Sequence, residues 1–562
     1  MGRLIATLLA LIWASSAQAH LVDLKPVKPS IACEALKKIA LEPATSATTI
    51  IASAKAINGA KHYCEVRGTI APAITFEVRL PLIWTQRYLQ TGCGGLCGNL
   101  RVNAEKTDGC IPVVDNQIVL ASTDMGHQSQ GPGDASWAND PQKRIDFAHR
   151  GVHVTALAAK ALIKAYYGQA PHYSYFSGCS DGGREALMEA QRYPGDFDGI
   201  AAGAPALNFT VQNSFYHAWQ ALSNTGPDGL AILNADDLQL LHTAVLAACD
   251  KLDGLEDGQI TDPRQCRFDL VSVQCKLAAQ RSHCLTTAQV AAARKLYDGP
   301  RTPDGQRMTA GGPSYGSELS WAGVYVPRQR GGLIFSKVIA LETMRYLLWE
   351  PGTRASMEID DLKFDAATFA SLEAARKLYN ADDPNLGAFA ARGGKMILWH
   401  GWSDPHISPA NTIDYWNNVG AALTPAKRDA FVRLFLIPAM YHCSGGEGPS
   451  DFPLFNALMK WVEGGTVPNM VIAKRDAATL EGLPGLGPRG SAGPGRPPPG
   501  MMHTRAIAPQ TEGGPAVSRT RPIFAYPAVA KYKGSGSVDD AASFERAAPR
   551  AAPQPVRWLG SR

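Results

Sequence analysis

Runs of basic residues, internal repeats and long apolar stretches are all missing from this chain. Its 55 lysines and arginines face 50 acidic residues, which leaves a net charge of only +5 over 562 positions. So weak a balance, with no basic run or RNA-binding motif beside it, gives no case for nucleic acid, and none is expected as a partner. No segment approaches the roughly 20 consecutive apolar residues that a spanning helix needs, so no membrane partner is expected. A repeat of roughly 20–50 residues, the mark of solenoids and propellers, is equally absent. Zinc has no matched pair of CxxC motifs to hold it. With 45% apolar and 19% charged residues, the chain is globular rather than disordered.

What is present begins at the N-terminus. Arg3, the apolar run from Leu4 to Trp13 and the small-residue triplet Ala17-Gln18-Ala19 form the pattern of a secretory signal over residues 1–19. The mature chain is expected to start near His20 and to be secreted or periplasmic. Eleven cysteines fit an oxidising compartment: Cys33, Cys64, Cys93, Cys97, Cys110, Cys179, Cys249, Cys266, Cys275, Cys284 and Cys443. Their odd number leaves at least one unpaired in a monomer.

Periodicity predicts an α/β fold. Val154, Leu157, Ala158, Ala161, Leu162 and Ala165 repeat at helical spacing, Tyr173 to Ser177 is β-prone, and Gly182 to Arg192 is helical again. Strand, tight turn and helix in that order imply a parallel sheet covered by helices. The first part of this core is expected at 20–206, an inserted lid domain at 207–393 and the second part of the core at 394–476. Beyond it a Pro/Gly-rich linker is expected at 477–518, a segment packing on the core at 519–546 and a disordered tail at 547–562.

Gly178-Cys179-Ser180-Asp181-Gly182 fits the G-x-S-x-G nucleophile elbow of α/β-hydrolases, with a strand before it and a helix after it. Small residues let the chain turn sharply and lift the hydroxyl clear, while the helix start offers free N–H groups to a developing oxyanion. A serine hydroxyl needs a base, and in this fold the partners follow in the order acid, then histidine. Asp404, just past the strand ending at Trp399, and His442, just past Phe431 to Ile437, fill those places. Cys179 and Cys443 flank Ser180 and His442; if serine and histidine meet, the two are near enough for a disulfide, and otherwise they are buried thiols. A second constellation, Cys249 to Ile260, carries Asp250, Asp253 and Asp257 across glycine turns. It reads either as a solvated acidic turn or as a seat for a hard cation such as calcium, though its spacing is not that of an EF-hand.

Cys179-Ser180, Asp404 and His442-Cys443 together resemble the CS-D-HC arrangement of tannases and feruloyl esterases, a family that includes terephthalate monoester hydrolases. The resemblance extends through Ser122 to His127, Gly178 to Arg184, Asp196 to Ile200, Arg519 to Pro522 and Tyr532 to Gly536. It implies an α/β-hydrolase core with an inserted lid, a Cys179–Cys443 disulfide, and an oxyanion hole from the N–H of Asp181 and one in the Gly92 to Gly95 loop, here assigned to Gly94. It also implies a structural calcium ion in the lid, held by the Asp250, Asp253 and Asp257 side chains and the Leu255 and Gln259 carbonyls, with Cys249–Cys266 and Cys275–Cys284 as flanking disulfides. Phe524 and Arg546 stand where the family carries a C-terminal cystine, and the Pro/Gly insertion is unusual; both leave the docking of the last segment open.

The expected activity is hydrolysis of a small aromatic or phenolic ester through an acyl-enzyme, feruloyl or galloyl in type, with a terephthalate monoester as the alternative. Trp321, Tyr325, Tyr346 and Trp349 are candidate walls for the aromatic acid. A serine peptidase or acyltransferase would use the same three residues, and a calcium-dependent binding protein would need none of them.

Overall fold

The computed structural model describes residues 21–107, 109–131, 133–276, 283–475, 519–549 and 556–561. The expected signal at 1–19 and linker at 477–518 lie outside the described residues. One nine-stranded sheet carries the fold. Its strands are β1 (Thr49–Asn58), β2 (His62–Ile70), β3 (Ile74–Pro81), β4 (Arg87–Thr91), β5 (Val119–Thr123), β6 (Tyr173–Cys179), β7 (Gly199–Gly203), β8 (Lys395–Gly401) and β9 (Val432–Ile437). They lie in the order β1-β2-β3-β5-β4-β6-β7-β8-β9.

The first four positions in that order are antiparallel, and from β5 through β9 the sheet is parallel. β4 and β7 are buried at every position, the pattern of strands covered on both faces by helices. The covering helices include α1 (Gly151–Tyr167) and α2 (Asp181–Arg192). α1 buries more than the stripe its periodicity marks, with Val152, Ala156, Ala159 and Ile163 as enclosed as Val154, Ala158 and Leu162.

Between β7 and β8 the chain adds no strand to this sheet among the described residues. It builds α3 (Ala235–Cys249) and α4 (Thr287–Asp298) around a separate core of Leu241, Val245, Leu296, Trp321 and Tyr325, against which the Phe335 end of α5 (Phe335–Tyr346) packs. Capping boxes start two of these helices, Asn234 with Asp237 on α3 and Thr286 with Gln289 on α4. Trp321 and Tyr325, read from the sequence as pocket walls, are fully enclosed in this core, with their rings 5.5 Å apart. Tyr346 and Trp349 are half-buried, and their carbonyls accept hydrogen bonds from Arg144.

After β9 come two small antiparallel pairs: β10 (Met470–Arg475) with β11 (Arg519–Phe524), and β12 (Val529–Tyr532) with β13 (Phe544–Ala547). Phe524 faces Met470 and Arg546 faces Ala530, so ladder pairing holds the positions where the resemblance led to the expectation of a cystine. The segment docks through Arg521 on Asp257, through Tyr526 N–H to the Leu434 carbonyl at 2.8 Å, and through the Tyr526 ring edge-on to Trp416 at 5.0 Å. Of the tail expected at 547–562, residues 547–549 and 556–561 are described; there Trp558 is buried and its indole N–H donates to Asp414 at 3.2 Å.

Five disulfides close the chain: Cys33–Cys64, Cys93–Cys97, Cys179–Cys443, Cys249–Cys266 and Cys275–Cys284. Cys110 is the free, buried remainder of the odd count.

Candidate active site

Ser180 sits where β6 gives way to α2, at φ +65° and ψ −120°, a left-handed conformation rare for a residue with a side chain. The neighbouring backbone leaves no room for anything but glycine. A Cβ on Gly178 would lie 2.5 Å from the Gly182 carbonyl oxygen, and one on Gly183 would lie 2.3 Å from that of Gly203. Backbone bonds fix the turn: Ser180 N–H donates to the Gly203 carbonyl at 2.9 Å, and the Ser180 carbonyl accepts from Arg184 at 3.1 Å. The serine is left half-buried with its side chain clear of the helix.

Asp404 and His442 reach the same end of the sheet, past the C-terminal ends of β8 and β9, where parallel sheets carry their sites. Asp404 is fully buried, and its Oδ2 lies 2.6 Å from His442 Nδ1. Its Oδ1 accepts the N–H groups of His406 at 2.8 Å and Ile407 at 3.0 Å. Burial alone would raise this carboxyl's pKa. The His442 charge and the hydrogen bonds from His400 and His442 outweigh it and hold the group well below the usual carboxylate range.

The Cys179–Cys443 bridge, 6.0 Å between Cα atoms, ties the residue before the serine to the residue after the histidine. Among the described residues the Ser180 hydroxyl makes no hydrogen bond, and such contacts often tighten only once substrate is bound. A hydroxyl beside an imidazole that is itself held by a buried carboxylate can act as a base-assisted nucleophile.

The Asp181 carboxylate turns inward to the buried Arg184 guanidinium at 2.7 Å, so this residue offers the site its backbone. Among the described residues its N–H, the first of α2, meets no acceptor, and neither does that of the exposed Gly94 in the loop after β4. Both are therefore free to take an oxyanion.

Sequence reasoning missed three neighbours. His400 Nε2 lies 3.0 Å from Asp404 Oδ2 and 3.0 Å from the Ile407 carbonyl, while its Nδ1 faces the Thr412 hydroxyl at 2.8 Å. Two acceptors at Nε2 place the proton there, so the carboxylate takes a second imidazole N–H. His406 and Phe335 form an aromatic face beside the base, with His406 4.9 Å from the His442 ring and Phe335 4.9 Å from His406. The only available signal was His400 four residues before Asp404, which is too weak to single it out.

The acidic loop brings its three aspartates into one turn system, with Asp250 buried and Asp253 and Asp257 half-buried. Asp250 accepts N–H groups from Asp257 at 3.3 Å and Gly258 at 2.8 Å, and Asp253 accepts from Leu255 N–H at 2.9 Å and the Thr261 hydroxyl at 2.5 Å. Burial pushes Asp257 up to about 6, opposed by Arg521 and Arg519 and reinforced by Asp250 and Asp253. With Asp539 on Arg519, four carboxylates face two guanidinium groups here. An oxygen-rich turn with surplus negative charge fits a hard cation, and the Leu255 and Gln259 carbonyls lie in the same turn.

The family described as tannase and feruloyl esterase matches residues 56–547. The chain belongs to that family. It is a carboxylic ester hydrolase, as the family is. It is 31% identical to a mono(2-hydroxyethyl) terephthalate hydrolase of Piscinibacter sakaiensis, over 93% of each chain. It is 30% identical to a probable feruloyl esterase B-1 of Aspergillus flavus, over 71% of this chain and 75% of the relative. Its fold is that of the crystal structure of feruloyl esterase B from Aspergillus oryzae, with a TM-score of 0.73 and 24% identity over 92% of this chain and 99% of that one. Tannin acyl hydrolase from Aspergillus niger shares the fold at a TM-score of 0.65, with 21% identity over 90% of each chain.

Proposed function

We propose that this esterase cleaves esters of aromatic or phenolic acids through an acyl-enzyme on Ser180. The observation that carries the reading is the 2.6 Å contact of His442 with the buried Asp404, bridged by Cys179–Cys443 to the serine turn. Ser180 Oγ attacks the ester carbonyl as His442 takes its proton, and Asp404 holds the imidazole and stabilises its protonated form. The N–H groups of Asp181 and Gly94 receive the oxyanion, and His442 then protonates the departing alcohol. A water activated by His442 releases the acid. Residues 207–393 form the lid, and Phe335 and His406 supply the aromatic face on which the acyl ring lies.

Calcium, when bound by Asp250, Asp253, Asp257 and the Leu255 and Gln259 carbonyls, supplies charge balance to the lid and takes no part in the reaction. Five disulfides and the Arg3 to Ala19 pattern support export from the cytoplasm. No helix of the described residues is long and apolar enough to cross a membrane.

A terephthalate monoester is the second reading, favoured by the Piscinibacter sakaiensis relative matched over 93% of the chain. Methyl ferulate, methyl gallate and mono(2-hydroxyethyl) terephthalate offered side by side to the wild type and to Ser180→Ala test both. Turnover of one ester that falls about 10⁴-fold or more in the folded variant is the expected result, since a nucleophile of this type contributes on that order. An active Ser180→Ala protein removes the mechanism, and turnover of aliphatic esters alone removes the substrate class.

A further inference from the structure

The loop after β4 holds a feature that the mechanism above does not use. Cys93 and Cys97 close a five-residue ring around Gly94, and their sulfurs point away from solvent into α2. Cys93 Sγ lies 2.7 Å from Glu185 Oε1, and Cys97 Sγ lies 3.2 Å from Asp181 Oδ2 and 3.4 Å from Glu185 Oε1. The ring thus rests on the side chain of the residue whose N–H forms the other half of the oxyanion hole.

Its ends are pinned as well. Gly182 N–H donates to the Cys93 carbonyl at 2.7 Å, and a Cβ on Gly92 would come within 2.6 Å of Gly182 Cα. Gly98 N–H donates to the Asp124 carbonyl at 3.2 Å, and His127 Nε2 bonds the Leu96 carbonyl at 2.8 Å. Burial holds His127 neutral by lowering its pKa to about 4, so that bond persists across the working pH range. Glu185 is fully buried, and burial together with the Asp181 charge raises its carboxyl well above the usual range. Protonated, it can lie against sulfur without facing a second bare carboxylate. Between these pins Cys97 adopts φ +61°, a conformation a cross-link can hold against its intrinsic cost.

We propose that the Cys93–Cys97 disulfide is a positioning element for ester hydrolysis: by closing the ring and seating its sulfurs on Asp181 and Glu185, it sets the Gly94 N–H at a fixed place relative to the Asp181 N–H. Cys93 and Cys97 touch neither substrate nor reacting atoms. The inference rests on the Ser180 acyl-enzyme reading.

The test is the double variant Cys93→Ser/Cys97→Ser with 4-nitrophenyl acetate as substrate and benzeneboronic acid as the transition-state probe. Losing a whole oxyanion donor costs about 10²–10³ in kcat, so a loosened one is expected to lower kcat roughly tenfold or more. KM should stay within about twofold, and boronate affinity should fall with kcat, because both need the hole and substrate binding does not. Cys33→Ser/Cys64→Ser, remote from the site, is the control, expected to lower Tm and leave kcat per folded molecule unchanged.

Wild-type kcat and boronate affinity in the Cys93/Cys97 variant, whatever its Tm, would overturn the proposal. If that variant does not fold, graded reduction of the wild type followed by alkylation and peptide mapping decides the matter. Activity must then fall with opening of Cys93–Cys97, and activity that follows only Cys179–Cys443 rejects the idea. Boronate that fails to bind even the wild type, or an active Ser180→Ala, would instead sink the underlying acyl-enzyme reading.

Discussion

His400 and His442 share one carboxylate oxygen, and only His442 can face a substrate. His400 is fully enclosed, so its N–H acts on Asp404 by fixing it and by keeping it ionised. A hydrogen bond to a charged group contributes about 1.5–3 kcal/mol, which converts to roughly 10–100-fold in rate if it is realised in the transition state. His400→Ala is expected to lower kcat/KM by that factor, and His400→Gln, which keeps an N–H, by less. Equal rates in the wild type and the alanine variant would make His400 a packing residue only.

Glu189 makes a different case at this scale. It is 1% exposed, neither carboxylate oxygen has a hydrogen-bond partner, and burial together with the Asp196 charge raises its pKa well above the ordinary value. A raised carboxyl holds its proton in the folded state at pH values where the unfolded chain, titrating near about 4.3, has lost it. Stability therefore falls as pH rises above that value, by about 1.4 kcal/mol per unit until the folded group ionises. Glu189→Gln removes the dependence, so its Tm advantage over the wild type should grow from pH 4 to pH 7. A Tm difference that is flat in pH would show that the group is not protonated in the fold.

Glycine spacing decides the turn between β6 and α2. A methyl at Gly183 would meet the Gly203 carbonyl oxygen at 2.3 Å and Pro205 Cα at 2.8 Å, backbone atoms that cannot swing aside. Gly183→Ala is expected to lower stability by about 1–3 kcal/mol or more through overpacking, read as a drop in Tm. Gly94→Ala meets open space and should leave Tm unchanged, which separates a packed turn from an open loop that share the same residue type. The elbow was legible because its sequence states this constraint directly. The pairing of β1 to β3 was not read, because antiparallel hairpins lie outside the strand-turn-helix signal, and β3 finds its place beside β5 only when residues distant in the chain meet. Trp321 and Tyr325 were misplaced for a related reason: a large aromatic fits a pocket wall and a core equally well until its neighbours are known.

For the whole molecule, the acidic loop of the insert and the C-terminal segment meet at Asp257, where Arg519 and Arg521 close over the turn. A cation bound there stabilises the fold by mass action, about 2.7 kcal/mol at a hundredfold excess over its Kd. Chelation is expected to lower Tm, calcium to restore it, and Asp257→Asn to lose most of that calcium-dependent part while keeping activity per folded molecule. A Tm that ignores both chelator and calcium would leave the aspartates as a turn closed by arginines alone.

Order along the chain and local chemistry were enough to single out Ser180, Asp404 and His442 as candidates, because each follows a strand and the serine turn needs glycines at fixed places. They also carried the α/β class, since strand and helix periodicities alternate along the core. Which cysteines pair at 33, 64, 93 and 97, which imidazole backs Asp404, and what replaces the missing C-terminal cystine were decided only by the tertiary structure. Those answers depend on register and close approach, which no local pattern encodes even where only 4 residues separate the partners, as in Cys93–Cys97.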